Sequence, residues 1–327
     1  MTQYTINPTC LYHPLTTVLL DDNTNFLDAL KLGLPRDKQI LSFDKPEQAA
    51  LAIGHEEENI ISNISNIYCE IDTDNPNKKL IDLDIGSIRN SIYDVSRFKH
   101  IGVLVVDYKM PGTTGTEFCR AIKDRHIYKV MLTAEAALDT AIEAFNEGVI
   151  SKFILKANDD LVSHLSGVVH ELEEQYFHDI SKPILNNLDP SIVSMLSSDV
   201  FIELFNNVFY GSNAVEYYLL DTSGSYLFLD EKGSATWLII RSDNDFNAQI
   251  DALLGLEGSD LMVEQLKQRD KLLFMLSEEE YRLPVDEWKK CLFSASKLSE
   301  NLWYAIEKGP IKKSIDWENV EPYHGSE

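Results

Sequence analysis

The chain has 327 residues, 44% of them hydrophobic, and a formal net charge of −24. That length predicts two domains, no apolar run approaches the roughly 20 residues that span a bilayer, and MTQYTINPTCLYHPL has neither the basic start nor the apolar stretch of a secretory signal. Negative charge concentrates from Ala157 onward, where 31 acidic side chains face 13 basic ones, so DNA binding, which needs cations to displace counterions on phosphates, is disfavoured.

TTVLLDDN (16–23) reads as a short strand ending in paired acids, and NFLDALKLGL as a helix. KQILSF (38–43) is a second strand, followed by the helix KPEQAALAIG (45–54). From 55 to 100 the pattern loosens, acidic at HEEE and polar at DTDNPNKK, before DLDIGSIRNSIYDVSRF predicts one well-formed helix. VLVVD (103–107) is a third strand, and the chain then turns through Pro111, Gly112 and Gly115 into GTEFCRAIKDR. KVMLTA (129–134) and SKFILKA (151–157) are strands four and five. ALDTAIEAFNEG and the long DDLVSHLSGVVHELEEQYFHDI are the helices that follow them. Strands alternating with helices predict an α/β fold, a doubly wound five-stranded parallel sheet.

Beyond Pro183 the rhythm changes. PSIVSMLSSDVFIELFNNVF reads as helical, then AVEYYLLD, SYLFLD and ATWLIIR are β-rich runs split by the hairpin-type turns TSGS and EKGS. Helical stretches are expected from there to about Lys308. The organisation expected is a domain at 1–175 with an insertion at about 55–100, then an α+β output domain at 176–327. Cys10, Cys69, Cys119 and Cys291 are scattered without a CxxC pair, which argues against a zinc site or a disulfide framework and fits a reducing cytoplasm.

In a parallel sheet every strand delivers its C-terminal end to one edge, where ligands bind. Strand one ends at Asp21 and Asp22, strand three at Asp107, strand four at Thr133 and strand five at Lys156. Crowded carboxylates favour a hard divalent cation such as Mg²⁺. Lys156 neutralises further charge and Thr133 offers a hydroxyl to an oxyanion, so the set suits phosphoryl transfer onto a carboxylate.

LLDDN, DYKMPGTTG, MLTA and FILK, in that order, resemble the receiver domain of bacterial two-component response regulators, which has the flavodoxin-like sheet order. The resemblance implies that Asp107 is the phosphoacceptor. It implies Mg²⁺ held by Asp22, Asp107 and the backbone carbonyl of Lys109, with Asp21 acting through water. Lys156 would pair with the phosphoryl group, Thr133 would move onto it, and Phe153 would be the aromatic that changes rotamer. The partners implied are a sensor histidine kinase, a second copy on phosphorylation, and a downstream protein. Two departures stand out. The interval from Asp22 to Asp107 is about twice the family's usual spacing, and Ala157 stands where a proline commonly follows the lysine. By layout, an extended receiver before an unassigned α+β domain, the chain is similar to quorum-sensing response regulators.

HDISKPI (178–184) resembles the phosphorylated-histidine box of sensor kinases around His178, although proline mechanics make it a helix end broken at Pro183. The β-rich run after Ala214 suits either a small ligand pocket of the PAS type or plain core, and Trp237, Trp288, Trp303 and Tyr304 suit core first and a partner surface second. The alternative to a protein-contact output is an enzyme or binder of a nucleotide or small ligand, using Asp221, Asp230, Asp243 and Asp245. Those acids sit in turns, where Asp is common for local hydrogen-bonding reasons. A direct transcription factor is handicapped by the charge.

Overall fold

Seven consecutive residues, Ile101–Asp107, form a strand with every side chain buried. An unbroken aliphatic run of this kind marks a parallel sheet covered by helices on both faces. The computed structural model describes residues 4–35, 38–54, 67–71, 79–83, 85–122, 126–312 and 314–323. Two packing units result: His13–Ser62 with Val95–Ile180, and Met1–Tyr12 with Asn63–Asp94 and Ser181–Tyr323.

In the first unit the strands are β1 (Thr16–Leu20), β2 (Gln39–Phe43), β3 (Ile101–Asp107), β4 (Tyr128–Thr133) and β5 (Lys152–Leu155). All neighbours are parallel, in the order β5-β4-β3-β1-β2. The helices are α1 (Thr24–Gly33), α2 (Pro46–Gly54), α3 (Gly115–Ala121), α4 (Leu138–Asn146) and α5 (Leu161–Leu185). Strand side chains alternate between two core layers, as a period of two requires. Val18, Leu20, Leu104, Val106 and Met131 meet Ala49, Ile53, Phe118, Ala141 and Ala144 from α2, α3 and α4. Leu19, Val103, Val105, Val130 and Leu132 meet Leu27 and Leu30 of α1 and Leu165, Val169 and Leu172 of α5. The five expected strands are therefore present, and α5 continues past Pro183 to Leu185.

The second unit is α+β. Its six-stranded antiparallel sheet runs Leu11–Tyr12, Ala214–Leu219, Tyr226–Asp230, Ala235–Ser242, Leu302–Lys308, Ser296–Ser299. Gly224 and Gly233, at φ of +90° and +74°, sit in the two turns read as hairpins. Phe201, Phe205, Tyr217, Tyr226 and Phe228 are at most 1% exposed and pack ring on ring, so this β-rich run is core. Trp237 and Trp288 are buried as well.

Three expectations need correction or refinement. Residues 292–308 are strands, because Leu302–Lys308 pairs with Ala235–Ser242 along seven registered positions. A distant ladder, invisible to any local window, decides their conformation. The single helix expected at DLDIGSIRNSIYDVSRF is instead a short helix, Gly86–Asn90, and two 3₁₀ turns, Ser91–Tyr93 and Arg97–Lys99. Ile85, Ile88 and Ile92 keep a helical period and are buried, but Val95 is 60% exposed and the backbone turns extended at Asp94. Finally, the packing units run differently from limits at 1–175 and 176–327. Leu11–Tyr12 pairs with Tyr217 and Tyr218, and 63–94 groups with the C-terminal part. Within that segment Ile67–Ile71 and Lys79–Leu83 pair as antiparallel strands.

Candidate functional site

β1 ends one residue before Asp21 and β3 ends on Asp107, so both carboxylates arrive at the same sheet edge. Asp21 is 2% exposed and Asp107 8%, while Asp22 is exposed. Carboxylate oxygens of Asp21, Asp22 and Asp107 all lie within 4.8 Å of one another. Asp21 Oδ1 accepts a hydrogen bond from the Asn23 N–H at 2.9 Å, which orients it. Asn23 then caps α1, its side chain accepting from the Phe26 N–H at 3.2 Å.

Lys156 closes the group. Its Nζ lies 2.6 Å from Asp21 Oδ2 and 2.9 Å from Asp107 Oδ1. On its other side it stands 4.6 Å from the centroid of the Phe26 ring, a cation–π distance. Burial raises the Asp107 pKa, and the charges of Asp21 and Asp22 push the same way against the pull of Lys156. Burial alone would lower Lys156, yet the hydrogen bonds it donates to Asp21 and Asp107 leave it raised and firmly cationic. Three carboxylates against one ammonium leave excess negative charge beside an exposed acid. This donor set fits a hard divalent cation such as Mg²⁺, which takes oxygen ligands and retains several waters.

The turn after Asp107 is dictated by close approach. A Cβ on Gly115 would lie 2.3 Å from the Asp107 carbonyl oxygen, so only glycine fits. Gly112 takes φ of +83° in the tip between Lys109–Met110 and Thr113–Thr114, which pair as a two-residue ladder. Thr114 and Glu117 complete a capping box that starts α3 at the sheet edge. Thr133, the last residue of β4, is fully buried and its hydroxyl donates to the Ala134 carbonyl at 3.2 Å. Its own carbonyl accepts from the Lys156 N–H at 2.8 Å, tying β4 to the lysine-bearing loop.

The structure thus brings together Asp21, Asp22, Asp107 and Lys156, with Thr133 at the neighbouring strand end. Lys109 lies two residues past Asp107, in the small ladder. Phe153 is half-buried on β5 with its ring edge-on to Phe145 at 6.3 Å. Phe26 escaped the sequence reading. Its only signal there is an aromatic one helical turn beyond the paired acids, and the partner that gives it meaning is 130 residues away.

The other candidates find local uses. Asp221 pairs with Arg241 at 2.9 Å and accepts from the N–H groups of Ser223 and Ser225. Asp230 accepts from Lys232 and Ser234, Asp243 pairs with Arg269, and Asp245 forms a capping box with Ser242. Among the described residues, the acids close enough to share a metal ion are Asp21, Asp22 and Asp107. His178 is half-exposed on α5, 3.6 Å from Asp179.

Residues 84–166 match the model of the response regulator receiver domain. This chain carries a response regulator receiver domain. The structure of the response regulator LqsR of Legionella pneumophila is similar over 98% of this chain and 95% of its own, at 28% identity and a TM-score of 0.74. An adenylate cyclase from Rhodopirellula baltica covers 52% of this chain and 96% of its own at 22% identity and a TM-score of 0.37. A CheY-like receiver protein from Methanospirillum hungatei covers 51% and 98% at 18% identity and a TM-score of 0.34. No curated protein matches the sequence. The receiver is a signalling module, and no single helix among the described residues is long and apolar enough to cross a membrane.

Proposed function

We propose that this protein is a cytoplasmic response regulator of a phosphorelay, phosphorylated on Asp107 by a sensor histidine kinase. The observation that carries the reading is the Asp107 carboxylate, 8% exposed at a sheet edge with Lys156 Nζ 2.9 Å away and two further acids within 4.8 Å. A carboxylate with so little solvation is a poor structural choice and a good nucleophile. In the transfer, an Asp107 oxygen bonds to phosphorus as the bond to the donor's nitrogen or oxygen breaks, and the leaving group keeps that electron pair.

Asp22, Asp107 and the Lys109 carbonyl would hold Mg²⁺, with Asp21 behind them. The ion would neutralise charge on the transferring phosphoryl oxygens. Lys156 releases one of its two carboxylates to pair with the phosphoryl group. The Thr133 hydroxyl exchanges the Ala134 carbonyl for a phosphoryl oxygen, and Phe153 repacks in response. The output is a change in protein–protein contact, either between two copies or with a downstream protein. The likeness to the Legionella pneumophila response regulator along most of the chain supports a response-regulator role for the chain as a whole.

The test is intact-mass spectrometry after incubation with acetyl phosphate and Mg²⁺. Wild type gains one phosphoryl group, Asp107→Asn gains none, and Asp22→Asn labels slowly for want of metal. Full labelling of the Asp107→Asn protein would remove the assignment.

A further inference from the structure

In the second unit the helices Asp243–Leu253 and Asp260–Lys267 turn their apolar sides inward. Phe246, Ile250 and Leu253 of the first and Met262, Val263 and Leu266 of the second are all buried. Three leucines of the same connection are left over: Leu254 is 56% exposed, Leu256 39% and Leu261 68%. They are not on a loose loop. Ser259 is 2% exposed, and its hydroxyl lies 2.8 Å from the Leu253 carbonyl and 2.7 Å from that of Leu256, drawing the turn shut. Gly255 and Gly258, at φ of +90° and +83°, supply the two left-handed positions that hold it. Exposed apolar side chains gathered within a polar rim are the kind of surface that marks a protein–protein contact.

The charge around these leucines says what covers them. From Asp243 to Leu266 the chain has six acids and no lysine, arginine or histidine. Asp243 and Asp245 are occupied by Arg269 and Ser242. Asp251, Glu257, Asp260 and Glu264 are exposed around the leucines. Anionic lipid and nucleic acid are repelled by such a rim, and so is the same face of a second copy. A segment with leucine-like side chains on one helical face and lysines or arginines on its flanks satisfies both features at once. We propose that the turn at 254–261, with its rim of Asp251, Glu257, Asp260 and Glu264, is a docking surface for a cationic amphipathic segment of a partner protein.

The experiment uses the full chain, unphosphorylated, and a fluorescein-labelled 18-residue helix of leucine and lysine, leucines at i, i+3, i+4 and i+7. Fluorescence anisotropy on wild type is expected to give saturable, salt-sensitive binding. The triple variant Leu254→Ser, Leu256→Ser, Leu261→Ser keeps every charge and should bind at least tenfold more weakly. The quadruple variant Asp251→Asn, Glu257→Gln, Asp260→Asn, Glu264→Gln keeps the leucines and should lose as much. Tyr281→Ser with Leu283→Ser, exposed apolar residues elsewhere on the unit, should leave binding unchanged. Hydrogen exchange on wild type should show peptide-dependent protection at 251–264, a readout independent of how the variants fold. Equal binding by the triple variant, equal binding of a scrambled peptide with no apolar face, protection elsewhere, or burial of the turn by self-association would each overturn the proposal. The reading of Asp107 is tested separately, since an Asp107→Asn protein should bind the peptide like wild type.

Discussion

In the proposed switch, Lys156 is the residue on which the site's two states turn. Two carboxylates at 2.6 and 2.9 Å hold it in the present arrangement, and the Phe26 ring lies 4.6 Å from its ammonium. Lys156→Ala is expected to leave Mg²⁺ affinity largely intact while removing the conformational response, so limited proteolysis with and without acetyl phosphate should give one pattern instead of two. Phe26→Leu keeps an apolar side chain but removes the π face, a loss of about 0.5–2 kcal/mol for a partly buried pair. It should slow labelling severalfold, with Phe26→Tyr restoring the wild-type rate. A second residue acts through stability. His13 is fully buried against Phe98 and Phe177, its Nε2 has no hydrogen-bond partner, and burial lowers its pKa from 6.5 to about 3. The folded chain therefore stays neutral there while the unfolded chain takes up a proton below pH 6.5. The stability this protects is full above 6.5 and is lost as the pH falls toward 3. By pH 5.5 the loss is about 1.4 kcal/mol, so urea midpoints of wild type should drop between pH 7 and 5.5 by more than those of His13→Phe.

At the scale of elements, what the sequence revealed depended on whether a strand's signal was local. β1, β3 and β4 are short aliphatic runs bounded by turn residues, and each could be recognised without knowing its partner. Their ends, with that of β5, then located Asp21, Asp107, Thr133 and Lys156 on one edge by topology alone. Leu302–Lys308 was hidden because LWYAIEK suits a helix as well as a strand, and only Ala235–Ser242, some 65 residues earlier, decides between them. The 82–98 helix was overread for the opposite reason. Its apolar period is real, but it ends at Ile92. The turn that joins β3 to α3 is the element whose legibility carries a further prediction. Gly115 reads from the sequence as an ordinary turn glycine, whereas the structure puts the Asp107 backbone oxygen where its Cβ would be. Gly115→Ala must displace the strand end that presents Asp107, the proposed phosphoacceptor. We expect a cost of roughly 1–3 kcal/mol by overpacking and little or no acetyl-phosphate labelling, measured by thermal denaturation and intact mass on one preparation. A stable variant that labels at the wild-type rate would mean that the strand end tolerates the shift.

For the whole molecule the governing quantity is charge. A net −24 over 327 residues sets up a negative potential that any polyanion meets before it meets a specific surface. Specific DNA binders reach about 10⁻⁸ to 10⁻¹¹ M at physiological salt by neutralising several phosphates with lysine and arginine. The C-terminal part has 13 such residues from Ala157 onward, and the structure commits many of them. Arg241 is buried on Asp221, Arg269 is paired with Asp243, and Lys312 is buried beside Glu280. Arg282, Lys289 and Lys290 each face an acid within one helical turn. Phosphorylation adds roughly two more negative charges, so activation moves the electrostatics further from DNA. We therefore expect no sequence-selective gel shift at nanomolar protein, with or without acetyl phosphate, and a phosphorylation-dependent change in light scattering or partner capture instead. A nanomolar, salt-sensitive shift with one duplex and not another would show that a local cationic patch overcomes the field, and would replace a protein-contact output with a DNA-binding one.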